Sequence, residues 1–185
     1  MIEKLVELGE KGLTKEEIDA RNFRAKLLGL IYEDLLMFWF KNMRYNIVGR
    51  DVRKGVYENR RVAVDFILEK NGVLYVVEAK CWPAYLEGRL KKITLENIEK
   101  IKKKVGVFLN DDFVDKYSFD NRKVDAKILI WWDLDEADIE EIKRRLKLSD
   151  LISIKKILGE LRGKADHIVM KYMRWTEELF KALVA

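Results

Sequence analysis

Val64-Asp65-Phe66-Ile67-Leu68-Glu69-Lys70-Asn71-Gly72-Val73-Leu74-Tyr75-Val76-Val77-Glu78-Ala79-Lys80 reads as two β-strands joined by a two-residue turn. Asn-Gly tolerates the positive φ angles that the tightest hairpin loops demand. With Asn71 and Gly72 as the loop, Lys70 pairs with Val73. Each step back along one strand then matches one step forward along the other, which sets Asp65 opposite Glu78. Side chains alternate between the faces of a strand, so Lys80 shares a face with both acids. The other face carries Val64, Phe66, Leu68, Tyr75 and Val77 and is apolar throughout.

Two carboxylates directly opposed across a ladder repel and weaken the pairing. On the residues alone, two compensations stay open. The ammonium of Lys80 could tie the acids into a structural ion pair at a sheet edge. Alternatively, a divalent cation could be held by both, and hard carboxylate oxygens suit Mg²⁺ or Mn²⁺.

Around this hairpin, Thr14 and Glu17 form a capping box that opens a long amphipathic helix running to about Asn42. A short helix is expected over residues 2–9. Strands are expected over Tyr45–Asp51 and Arg60–Glu69, a helix over 84–105 interrupted near Gly88 and Thr94, and a buried strand over Ala126–Trp132. A helix over 135–147, a short strand at Leu151–Ile154 and closing helices complete the chain. That order describes an α/β sandwich around a mixed sheet. With no linker or repeat, residues 1–185 are expected to form a single domain with its core over about 14–155 and helices 155–185 appended.

Composition narrows the function classes. At 185 residues, 49% hydrophobic and 37% charged, the chain has the profile of a globular protein and not of a membrane protein. Its most apolar run, Leu35–Phe40, is far shorter than the ~18 residues a spanning helix needs. Met1–Lys4 lacks the layout of a signal peptide. A single cysteine, Cys81, leaves no internal disulfide and no thiolate zinc cluster, so a cytoplasmic protein is expected. A net charge of +5 suits a polyanionic partner. Abundant Lys, Glu and Ile with no Gln resemble the usage of thermophile proteins. The lone His167 has no Ser or Cys placed to make a triad and reads as structural.

The segments Val64-Asp65 and Val77-Glu78-Ala79-Lys80, separated by a hairpin, resemble the PD-(D/E)XK nuclease superfamily, as does the upstream helix segment Gly29-Leu30-Ile31-Tyr32-Glu33. Val64 stands where the family name has a proline. The resemblance implies a restriction-endonuclease-like α/β/α sandwich, with a central mixed sheet of four to five strands flanked by helices, close to Holliday-junction-resolvase-like or restriction-like members. It implies Asp65, Glu78 and the Ala79 backbone carbonyl as ligands of Mg²⁺ or Mn²⁺. Lys80 would orient water or stabilise phosphoryl charge, and Glu33 would be a further direct or water-mediated ligand, with Asp34 its rival one residue along.

Arg50, Arg60 and Arg61 near the hairpin, and Arg89, Lys91 and Lys92 beyond it, are candidate phosphate contacts. Trp82 and Tyr85 are candidate stacking residues. The implied activity is hydrolysis of phosphodiester bonds, most simply by a DNA endonuclease, acting alone or as a homodimer. The alternative is a catalytically silent module of the same fold that binds DNA or protein.

Overall fold

The computed structural model describes residues 18–81 and 92–184. The Thr14–Glu17 capping box, the expected helix over 2–9 and the start of the helix expected at 84 lie outside the described residues. In chain order, α1 (Ile18–Asn42) leads into β1 (Asn46–Val52), β2 (Val56–Tyr57), β3 (Arg60–Arg61), β4 (Val64–Lys70) and β5 (Val73–Lys80). Next come β6 (Lys92–Ile93), α2 (Ile98–Val105), α3 (Phe113–Lys116), β7 (Tyr117–Phe119), β8 (Arg122–Lys123) and β9 (Ala126–Trp131). The chain closes with β10 (Asp133–Leu134), α4 (Ile139–Leu146), β11 (Asp150–Ser153), α5 (Ile154–Leu161) and α6 (Asp166–Val184).

The central sheet has five strands in the order β1-β4-β5-β9-β11. The first three are antiparallel, while β9 and β11 run parallel to β5. A mixed sheet follows from the connections. Asn71-Gly72, both at positive φ, closes the β4–β5 hairpin, whereas the return to β9 takes a long crossover. Ile128, Leu129, Ile130 and Trp131 are all fully buried, so β9 is covered on both faces, as its continuous apolar run requires.

On one face α1 supplies Ile31, Tyr32, Leu35, Leu36, Trp39 and Phe40, buried at helical spacing. Phe40 meets Phe66 edge to face at 5.5 Å between ring centroids. The same core takes Ile157, Leu158 and Leu161 from α5 and Val169 from α6. No helix among the described residues is long and apolar enough to cross a membrane.

Three stretches differ from the sequence reading. Arg60–Glu69 is not one strand. Arg60–Arg61 belongs to a separate sheet of order β3-β2-β7-β8, and the chain breaks out of it at Val62, whose N–H donates to the Gly55 carbonyl. The interruption expected near Thr94 is present, but the residues just before it form a strand instead of helix. Lys92–Ile93 pairs in parallel with Asp133–Leu134, and the Thr94 N–H donates to Asn97 Oδ1 at 3.2 Å to start the next turn. Finally, residues 106–125 hold α3, β7 and β8, which the sequence reading leaves blank.

Candidate active site

Backbone direction decides what the end of the hairpin can do. The Leu74 N–H donates to Asp125 Oδ2, and the Leu74 carbonyl accepts from the Asp125 N–H. Even-numbered residues of β5 therefore turn their polar backbone groups toward β9, and odd-numbered ones turn them toward β4. The β4–β5 ladder runs from Lys70–Val73 to Phe66–Val77 and ends there. Ala79, the next odd residue, thus points its N–H and carbonyl at β4 beyond the ladder's last pair. Its N–H is taken by Asp65 Oδ2 at 2.6 Å. The Ala79 carbonyl opens on the same gap.

Asp65 and Glu78 lie on the sheet face opposite α1, because Phe66 and Val77 beside them face it. Lys80 ion-pairs with Glu78 Oε1. Glu78 is only 9% exposed. Burial first, and then the charge of Asp65, push its carboxyl up to about 7 against the pull of Lys80. Burial also raises Asp65, opposed by the Ala79 N–H and Lys80. For Lys80, burial alone would lower the ammonium, but Glu78 and Asp65 more than offset it, and it stays protonated at neutral pH. One ammonium thus faces two carboxyl groups, Glu78 buried and Asp65 half-buried, in a setting where uncompensated negative charge is costly.

That donor set, two carboxylates and a strand-end carbonyl, is the hard oxygen chemistry that Mg²⁺ or Mn²⁺ takes. A third acid does not join it. Among the described residues no three Asp, Glu, His or Cys side chains converge closely enough to hold a metal together. Glu33 is instead clamped by Arg50, whose Nε and Nη2 both reach Glu33 Oε2 at 3.0 Å. Arg50 Nη1 also donates to Asp34 Oδ1 at 2.7 Å and approaches Met37 Sδ. Asp34 Oδ2 accepts from the Tyr172 hydroxyl at 2.7 Å. Glu33 and Asp34 are therefore tied into a network joining α1, β1 and α6. Glu33 still shares one neighbourhood with the hairpin acids. Desolvation, and after it the charges of Asp65, Glu33 and Glu78, hold the Cys81 thiol well above its usual range.

The candidate phosphate contacts separate. Arg50 spends its guanidinium inside the fold. Lys92 sits on β6, not on a helix, and pairs with Asp135 at 3.0 Å. Arg60 and Arg61 are exposed on β3. Trp82, Tyr85, Arg89 and Lys91 lie outside the described residues. His167 packs edge-on against Phe38 at 5.5 Å. Two surface clefts, about 880 and 690 Å³, are lined by other residues and include none of Asp65, Glu78 or Lys80.

Sequence reading also misses Tyr117. Its hydroxyl is fully buried without a hydrogen-bond partner, and burial, then Glu78, push it up to about 12. Tyr117 ends up over the acidic face because the Asp120-Asn121 turn, both residues at positive φ, folds β7 and β8 together. That dipeptide is the one local signal that could have located it. No family profile matches the chain, and neither a curated protein nor a solved structure is detectably similar to it.

Proposed function

We propose that the chain is a metal-dependent nuclease of the PD-(D/E)XK type, with a restriction-endonuclease-like fold, hydrolysing phosphodiester bonds in DNA. One observation carries this reading: Asp65 and Glu78-Ala79-Lys80 stand where a hairpin ladder ends, with a buried and a half-buried carboxylate beside one ammonium. A structural ion pair would need no second acid there, and the unbalanced charge has a cost that a bound divalent cation would remove.

Asp65, Glu78 and the Ala79 carbonyl are the groups that would hold the ion. When bound, Mg²⁺ supplies Lewis-acid polarisation of a phosphoryl oxygen and a lowered pKa for water. Asp65 is fixed for this task by the Ala79 N–H, which engages one of its two carboxylate oxygens. Lys80 is held in place by Glu78 and remains charged, so it is positioned to stabilise the negative charge that develops on the phosphoryl oxygens. Glu33, under the Arg50 clamp, is assigned no ligand role.

The same clamp, together with the Lys80–Glu78 pair, favours a second reading, a nuclease-fold protein that binds without cutting. Incubation with duplex, branched and single-stranded DNA under Mg²⁺, Mn²⁺ or EDTA separates the two. Metal-dependent cleavage lost in Asp65→Ala and Glu78→Ala supports the nuclease. Binding without cleavage under every metal leaves the silent module.

A further inference from the structure

The small sheet β3-β2-β7-β8 packs on the same face of the central sheet as Asp65 and Glu78. A side chain added at Gly49 would meet Phe119 Cζ at 3.6 Å and Ile67 Cβ at 3.8 Å, and Ile67 shares its face with Asp65. The pairing registers then sort the small sheet's side chains. Directly paired residues project to one side. Tyr57, Tyr117 and Phe119 form the inner face, and the first two are buried. The outer face is a single row across all four strands: Arg61 opposite Val56, Val56 opposite Ser118, and Ser118 opposite Lys123.

We propose that this outer row is a binding surface for duplex nucleic acid, with Arg61 and Lys123 contacting phosphates. The proposal rests on the nuclease reading for its choice of partner class and adds the surface and the strandedness. Charge complementarity carries it. Arg61 and Lys123 are exposed, and neither makes an ion pair with a described residue. The nearby acids Glu58 and Asp112 are both paired with Lys116. Three strand spacings of ~4.8 Å set the two cations ~14 Å apart at their backbones, a span comparable with the ~12 Å width of a major groove. Small Val56 and Ser118 lie between them.

Single strands are held by aromatic platforms, and here every aromatic of the small sheet turns inward, so the row reads backbone rather than unstacked bases. Asp65 follows Arg61 by four residue steps, a chain reach of at most ~14 Å. A duplex seated on the row therefore passes within a few base pairs of the acidic site.

Fluorescence anisotropy of a labelled duplex and the matching single strand, in EDTA and over about 50–200 mM salt, tests this with the full chain. Arg61→Ala/Lys123→Ala is expected to weaken duplex binding on the order of tenfold. It should also lower the slope of log K against log salt by about two, with the unfolding midpoint unchanged. Wild type should prefer duplex to single strand. The proposal is overturned by an unchanged slope, by an equal loss from Lys103→Ala on exposed α2, or by tighter binding of the single strand. A cleavage assay with Mg²⁺ on the same preparations keeps the two readings apart. Row-dependent binding without cleavage supports the row and sinks the nuclease. Cleavage with row-independent binding does the reverse.

Discussion

Glu78 is pushed up to about 7 by burial and by the charge of Asp65, and that shift has a sign. Its folded value lies above its ordinary 4.5, so the folded state holds the proton more tightly than the unfolded chain does. The metal-free protein is therefore most stable below about pH 4.5 with respect to this group, and it loses stability as pH rises through about 7. The loss amounts to about 2–3 kcal/mol. Chemical denaturation across pH should show this fall in wild type and its absence in Glu78→Gln, with Mg²⁺ restoring stability to wild type at pH 8.

A second residue-scale effect sits under the small sheet. A Cβ on Gly55 would lie 1.8 Å from the Tyr117 hydroxyl, so Gly55→Ala should destabilise by about 1–3 kcal/mol. Tyr117→Phe removes a buried hydroxyl that has no partner and should be neutral or stabilising in the same melts.

At the scale of elements, Arg50 fastens β1 to α1 through Glu33 and Asp34. Arg50→Ala leaves Glu33 without its cation and Asp34 with only Lys171, at 3.9 Å, and should cost about 1–2 kcal/mol, tempered by partial exposure. DNA affinity should barely change, whereas a phosphate-contacting arginine would weaken binding and flatten the salt slope.

This clamp is not legible in the sequence, because it joins positions far apart that no local periodicity links. The β4–β5 hairpin is legible, since Asn71-Gly72 fixes its register and register alone brings Asp65, Glu78 and Lys80 to one face. The small sheet is not, because strands of two or three residues carry no alternation to detect. Its hairpins are marked only by Glu58-Asn59 and Asp120-Asn121, residues that enter positive φ without the glycine that makes such turns obvious. Lys92 is misplaced for a related reason: the strand before the Thr94 interruption is only two residues long, too short to show an alternation that would set it apart from helix.

For the whole molecule, the two sheets divide the labour. The central sheet buries β9 on both faces and holds the acids at the end of the β4–β5 ladder. The small sheet rides on the acidic face with Arg61 and Lys123 outward. On the proposed reading, binding would rest on exposed cations such as Arg61 and Lys123, while the chemistry would depend on Asp65, Glu78 and Lys80. The two should separate on mutation. Lys80→Ala removes one charge from the reacting end, and a loss of about 10²–10³ in rate is what a single electrostatic donor supplies, with DNA affinity nearly intact.

Single-turnover cleavage of a duplex, measured in Mg²⁺ alongside equilibrium binding in EDTA for wild type, Asp65→Asn and Lys80→Ala, puts the nuclease assignment at most direct risk. The prediction is metal-dependent cutting by wild type, none by Asp65→Asn, a rate reduced about 10²–10³-fold in Lys80→Ala, and similar affinities for all three. A wild type that binds the duplex but never cuts it, with both variants indistinguishable from it, would contradict the assignment and leave a binding module built on the same hairpin.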